Sequence, residues 1–424
     1  MKKISFLKLL LLSSSFSFAQ SVKTDTGEVA RIERTLAADD MQGRKPFTAG
    51  IDKAAGFIAA EFKKAGLQFL PELTDYKQPF SLVRTKFISA TGSINGNIIE
   101  QNNIIAITTE AALKINEQSG YKIIILDSTS KLSVDAVKLL QDQKNYLVIV
   151  NNFHAANFSR LKRFKRDIFK RDYNVIFVLT DAVPVNYNFE IVHEISSSSL
   201  SNVVGVLPGR SKKDEYVVFS GHYDHLGIGK PNAAMDSIYN GANDDASGTT
   251  AVIMLANYFS KLKNNERTII FTTFTAEEIG GYGSQYFSSQ LDPDKVVAMF
   301  NIEMIGTESK WGTNSAYITG YEKSDFGKIL QNNLAGTNFN FEPDPYPQQN
   351  LFYRSDNATL AALGVPAHTI STSKMDSEKF YHTQEDEIQT LDMANMSEII
   401  RAIALSSQTI INGKDTPTRV VKSE

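Results

Sequence analysis

The chain has 424 residues, 42% of them hydrophobic, enough to bury a full core and to form a large domain with a smaller one beside it. A formal net charge of -3 and a pI near 6.1 offer no general attraction to nucleic acid or to an anionic membrane. The absence of cysteine excludes disulfides, iron–sulfur clusters, thiol catalysis and a lipidated N-terminal cysteine, so any metal must be held by His, Asp and Glu.

Residues 1–19 open with Met1-Lys2-Lys3, continue through Leu9-Leu10-Leu11-Leu12 and end on Ala19, the pattern of a signal peptide cleaved before Gln20. The expected product is exported, periplasmic or secreted, and no later segment reaches the ~20 apolar residues of a membrane span. Val29, Ile32 and Leu36, then Ala54, Ile58, Phe62 and Leu67, recur at helical spacing, and the second helix is expected to stop at Gly66. Residues 86–196 form a predicted insert with short strands at 121–126, 146–150 and 174–179. Within it, 160–171 carries Lys162, Arg163, Lys165, Arg166 and Lys170 around Leu161, Phe164, Ile168 and Phe169, which predicts an amphipathic helix with a solvated basic face.

After Asn202, strands predicted at 216–220, 268–274, 296–302 and 367–370 alternate with helices at 249–261 and 396–411. The fold class expected is α/β, a mixed and mainly parallel sheet covered by helices on both faces. The partition read from the chain is a signal peptide at 1–19, a discontinuous main domain at 20–85 and 197–413, an inserted domain at 86–196 and a flexible polar tail at 414–424.

Five short segments fall where predicted strands end, the edge at which open α/β sheets bind ligands. His222 and Asp224 are two apart, so in extended backbone both project to one side; His222 is read as a metal ligand and Asp224 as the group that orients it. Asn243-Asp244-Asp245 precedes a helix, where Asp245 or Ser247 is suited to capping. Glu277-Glu278 places two adjacent carboxylates at a strand end, an electrostatic cost that a cation removes. With a metal pair there, Asp244 bridges, Glu278 ligates and Glu277 is the general base on the shared water. Glu303 ends an apolar strand, and His382 sits in Tyr381-His382-Thr383, with Tyr381 placed to donate to a developing oxyanion. His154, His193, His225 and His368 are read as structural, His225 lying at the rim.

These segments together resemble the co-catalytic zinc aminopeptidases of clan MH, which include aminopeptidase Y and glutamate carboxypeptidase-type enzymes and have the glutaminyl cyclases as relatives. The match runs from about 202 to 391 and is most specific at Ser220-Gly221-His222-Tyr223-Asp224-His225-Leu226-Gly227, at 240–249, at 276–284 and at Arg354-Ser355-Asp356-Asn357. The resemblance implies a zinc exopeptidase-like fold with two zinc ions, one on Asp244, Glu278 and His382, the other on His222, Asp244 and Glu303. It further implies a cis peptide between Asp244 and Asp245, a protease-associated-type identity for the insert, and peptides as substrates. Many relatives have Asp where this chain has Glu303, which bears on the second ion. The function so implied is an exported aminopeptidase acting through a metal-bound hydroxide; a glutaminyl cyclase and a carboxypeptidase or dipeptidase of the same family are the alternatives.

Overall fold

A computed structural model describes residues 24–422, so the signal-peptide reading of 1–19 lies outside the described residues. Helix Thr26–Leu36 begins on Asp25, whose carboxylate accepts the backbone N–H groups of Gly27 and Glu28. Helix Ala49–Ala65 ends on Gly66 at φ 75°, the left-handed cap expected of that glycine. Val29, Ile32 and Leu36 of the first helix and Ala54, Ile58 and Phe62 of the second are buried in one core.

The strands at the centre of the main sheet, Ala367–Ser371, Val296–Ile302, Lys212–His222 and Arg267–Phe274, are parallel neighbours in that order. Antiparallel pairing joins it on one side to Tyr187–Leu207 and then Lys77–Ile94, and on the other to Ser315–Ile318, beyond which Asn340–Pro343 runs parallel to Ser315–Ile318. The sheet is thus mixed, with the parallel part where the chain alternates strand and helix. Every residue of Arg267–Phe274 is buried, as a strand covered on both faces requires. Successive residues divide between the layers. Phe219 stacks with Phe259, Phe271 and Phe300 at ring distances of 5.7, 5.7 and 4.7 Å under helix Ser247–Leu262. Val218, Ile270 and Met299 face the other way, onto Phe287, Leu360 and Ala361 of helices Tyr282–Ser289 and Ala358–Ala362.

The second sheet runs Ile104–Ile107, Val175–Leu179, Tyr146–Val150, Lys122–Leu126; one face closes an apolar cluster with the helix Leu132–Gln141, and the other packs on Ala90, Ile94, Phe189 and Ile191 of the main sheet. No loose linker joins it to the main body. Lys77–Ile94 and Tyr187–Leu207 pair continuously from Lys77 opposite Val203 to Ile94 opposite Tyr187, with one irregularity between Phe87 and Ser89. Positions 86 and 196 therefore fall inside strands.

Two expectations are corrected. The stretch 160–171 is not an amphipathic helix: Ser159–Lys165 is a tight 3₁₀ turn and the chain then extends, with Ile168 bridging Val83. In the extended chain Phe169 packs against Phe80, Tyr282 and Tyr286, and Asp167, which a helix would offer to Arg163, Lys170 and Arg171, pairs instead with Arg84 at 2.7 Å. The tail at 414–422 is docked rather than frayed. Buried Arg267 donates to the carbonyl of Asp415 and the hydroxyl of Thr416, both at 2.6 Å, Thr418 bonds Asp325, and Val420 is 5% exposed. A polar composition does not reveal that a buried guanidinium elsewhere needs those acceptors. Among the described residues no helix is long and apolar enough to cross a membrane.

Candidate metal centre

The parallel strands deliver their carboxyl ends to one place. His222 is the last residue of its strand, Glu303 follows Ile302, and Glu277 and Glu278 lie just past Phe274. Asp244 comes from the turn before helix Ser247–Leu262, and His382 from the loop after Ala367–Ser371. Asp244 sits between two histidines, Oδ1 3.2 Å from His222 Nε2 and Oδ2 3.3 Å from His382 Nε2, which is itself 3.2 Å from Glu278 Oε2. Donor atoms of His222, Asp244 and Glu303 lie within 4.8 Å of one another. His222 Nε2, His382 Nε2, Glu278 Oε1 and Glu303 Oε2 are buried with no hydrogen-bond partner. Such atoms are costly unless something else satisfies them, and imidazole nitrogens with carboxylate oxygens are the donor set that zinc takes. The residues around Asp244 fit zinc, which they would hold through imidazole nitrogen and carboxylate oxygen.

The backbone around them is tightly specified. The peptide bond Asp244–Asp245 is cis. Asp245 turns away from the centre, and its carboxylate accepts the N–H groups of His222 (3.1 Å), Gly248 (3.0 Å) and Met304 (3.0 Å), tying two strand ends to the start of a helix. Gly248 is needed there because a Cβ would lie 2.1 Å from the carbonyl oxygen of Ile302. Asp224 serves differently from the reading above. Its carboxylate is 3.8 Å from His222 Nδ1, which faces the Asp224 carbonyl oxygen at 3.1 Å. The carboxylate instead accepts the N–H groups of Glu277 (3.0 Å) and Glu278 (3.3 Å), and so fixes the two glutamates. Ala276, Met304 and His382 hold left-handed φ angles of 61°, 53° and 57°. Each costs about 1–2 kcal/mol in a residue with a Cβ, and left-handed residues concentrate at functional sites.

Electrostatics favours a cation. Burial works against ionisation of Asp244, but contacts with His222 and His382 outweigh it and hold that carboxyl well below its usual range. Burial, with the charge of neighbouring carboxylates added, pushes Glu277 well above the ordinary glutamate value and Glu303 up to about 7, while His222 opposes both shifts. His382 is raised to about 10 by Asp244 and Glu278. A small cavity of about 70 Å³ opens beside the ligands, lined among others by Glu277, Arg354, Ser371, Met375 and Tyr381. The Tyr381 ring, 39% exposed, stacks on His382 at 3.9 Å.

Two residues that support this centre were given no role in the sequence reading, and a third, Asp356, appeared there only within a matched segment. Asp386 accepts the N–H groups of Asn243 (2.8 Å) and Asp244 (3.0 Å); the acidic run after His382 was its only signal. Arg44, fully buried, donates to the carbonyls of Leu36, Tyr223, Asn240 and Gly241 at 2.6–2.8 Å and clamps the loops that carry Asp224 and Asp244. Nothing local marks it. Asp356 is buried with both carboxylate oxygens unpartnered. Of the histidines read as structural, His154 meets the carbonyl of Asp127, His193 faces Lys165, and His368 joins Ser324 to the carbonyl of Thr319. His225 is not at the rim: it is fully buried, with Nδ1 2.7 Å from Glu278 Oε1.

A mixed sheet whose strand ends converge on buried His, Asp and Glu donor atoms is the arrangement a metallopeptidase requires. Residues 202–406 match the model of Peptidase family M28, and that segment holds the motifs on which the resemblance rests. The chain is 40% identical over 89 residues to a probable zinc metalloprotease of Pyricularia oryzae, covering 21% of this chain and 17% of that one. It is 27% identical over 237 residues to leucine aminopeptidase 1 of Ajellomyces dermatitidis, covering 49% and 59%. The chain thus spans 17% and 59% of the length of these two relatives, less than two thirds of either. In structure it resembles an aminopeptidase from Aneurinibacillus sp. strain AM-1, with TM-score 0.55, 16% identity and coverage of 95% of this chain and 97% of that one, which establishes the shared fold.

Proposed function

We propose that this chain is an exported, zinc-dependent aminopeptidase that removes N-terminal residues from peptides, with two zinc ions bound per chain. The observation that carries the reading is the convergence of His222, Asp244, Glu278, Glu303 and His382 on one strand edge with Glu277 facing the same cavity. His222, Asp244 and Glu303 hold one ion, and Asp244, Glu278 and His382 the other; the longer Glu303 reaches the same group as His222 and Asp244, which supports a full second donor set. Zinc in such a pair polarises the scissile carbonyl and lowers the pKa of water to about 7. Glu277, kept basic by burial among carboxylates, takes the proton of the attacking water and returns it to the leaving amine. Asp224 holds Glu277 and Glu278 through their backbone, and Tyr381, which lines the cavity, is the residue we assign to the developing oxyanion. The names of the relatives, zinc metalloprotease and leucine aminopeptidase, support the same chemistry.

The test is mass spectrometry of a short peptide with a free N-terminal Gln, incubated with zinc-loaded protein and with Glu277→Gln. Stepwise loss of N-terminal residues, abolished by the substitution, is expected. Loss of ammonia from an otherwise intact chain would make it a glutaminyl cyclase, and release of C-terminal residues a carboxypeptidase.

A further inference from the structure

A second group of buried polar atoms takes no part in the chemistry proposed above. Where the turn Ser159–Lys165 meets the strand pair Lys77–Ile94 and Tyr187–Leu207, the Lys165 ammonium lies 3.3 Å from His193 Nε2 and 5.0 Å from the centre of the Phe87 ring. Phe87 and His193 are register partners, so both side chains stand on one face of that pair. His193 is 3% exposed, and its Nδ1 has no hydrogen-bond partner. An ammonium only donates, so Nε2 is the acceptor and Nδ1 carries the proton, a buried donor with no acceptor in the chain.

Further donors gather at the same corner. Thr85 precedes Phe87 by two residues on the same face, and the turn passes it between the Lys165–Phe87 contact and the reciprocal backbone bonds of Ile168 with Val83. Its hydroxyl is buried and unpartnered. Arg171 Nη1 is buried and unpartnered as well. The Arg171 backbone is bonded through both its N–H and its carbonyl to the Thr109 hydroxyl, two residues from Ala111, whose carbonyl accepts the His193 N–H. Among the described residues neither Lys165 nor Arg171 has a carboxylate partner, and Asp167, the one acid in 160–171, is taken by Arg84. Burial, with the like charge of Lys162 added, brings the Lys165 ammonium down to about 8, and burial with Lys165 brings His193 down to about 4. The corner collects donors and positive charge without an acceptor, and an oxyanion is the group that satisfies such a set.

We propose that Lys165, backed by Thr85, His193 and Arg171, binds a single oxyanion, a free inorganic ion or a peptide carboxylate, where the 159–171 stretch meets the strand pair. An ammonium has three protons and His193 takes one, so Lys165 has donors to spare. Its side chain is half-buried, which leaves the ion a path from solvent. None of these residues is among the metal ligands, so the proposal stands apart from the peptidase reading.

The experiment is competitive labelling of the full chain with acetic anhydride, each lysine being read by peptide mass spectrometry, in rising sodium sulfate with ionic strength held constant by sodium chloride. A parallel series replaces sulfate with N-acetylated Glu-Glu amide, and whichever acts at the lower concentration identifies the source of the oxyanion. Acetylation of Lys165 is expected to slow saturably, while exposed Lys162 and Lys170 respond no more than they do to sodium chloride. By calorimetry, Lys165→Met should bind the better probe about 10–100-fold more weakly, the loss of one hydrogen bond to a charged group, and Lys165→Arg should restore most of that affinity. No slowing at Lys165 by either probe, or equal slowing at all three lysines, would overturn the proposal in the wild type alone, without any variant having to fold. Unchanged affinity in Lys165→Met would overturn it as well, since the ion would then sit elsewhere on the molecule.

Discussion

The molecule has two edges at which parallel strands end in Asp, Asn and His, and they behave in opposite ways. In the smaller sheet, Lys122–Leu126, Tyr146–Val150 and Val175–Leu179 are followed by Asp127, Asn151 and Asp181. Asp127 accepts from Thr129 and Ser130, Asp181 accepts from Asn151 and from both the backbone and side chain of Asn152, and His154 meets the Asp127 carbonyl. Every one of these groups has a partner in the chain. At the main sheet's edge, His222 Nε2, Glu303 Oε2 and His382 Nε2 are buried atoms without a hydrogen-bond partner in the chain. Residue type and position at a strand end do not separate a structural cluster from a metal site; the accounting of donors against acceptors does.

The comparison can be broken most forcefully at Glu277. Glu277→Gln should lower the turnover of peptide substrates by about 10²–10⁴-fold, the range for loss of a general base, while metal content by elemental analysis stays at the wild-type level; loss of metal with it would place Glu277 among the ligands.

Next in size is the pH response of the metal-stripped protein. Burial pushes Asp224 and Glu303 each up to about 7. Folded groups with raised pKa keep protons that the unfolded chain has already released, so their stabilising contribution is complete below the ordinary carboxylate range and is lost as pH rises from about 4.5 to 7. Chemical denaturation across that window should show stability falling by up to ~1.4 kcal/mol per pH unit for each such group. Reloading with zinc should flatten the slope; an equally steep slope in loaded protein would contradict the assignment of Glu303 as a ligand.

At the other edge, Asp181→Ala should cost about 1 kcal/mol in urea unfolding, the scale of ordinary exposed hydrogen bonds, and leave zinc binding and peptide turnover unchanged. A change in either would mean that the two edges are coupled through Lys77–Ile94 and Tyr187–Leu207. The smallest effect concerns neither edge. Lys263 caps helix Ser247–Leu262 at φ 50°, so Lys263→Gly should stabilise by about 1 kcal/mol, read as a rise in melting temperature with activity constant.

Much of the molecule was legible in the linear chain because its signals are local. Gly66 stopping a helix, the apolar run of Arg267–Phe274 and the strand–helix alternation after Asn202 each need only near neighbours in sequence. The candidate ligands were legible too, since carboxylates and imidazoles at predicted strand ends are few and chemically distinctive. The partners of each group were not. Asp224 was expected on an imidazole two residues away and instead fixes backbone more than fifty positions on. Basic 160–171 lost its expected helix to aromatic burial against Tyr282 and Tyr286. His225 looked like a rim residue until folding buried it against Glu278. Arg44 had no signal at all, because a guanidinium clamping four carbonyls depends on loops nearly two hundred residues apart meeting around it. Propensity and pattern act over a few residues and so are written in the sequence. Hydrogen-bond satisfaction and burial are sums over whatever the fold brings together, and only the tertiary structure decides them.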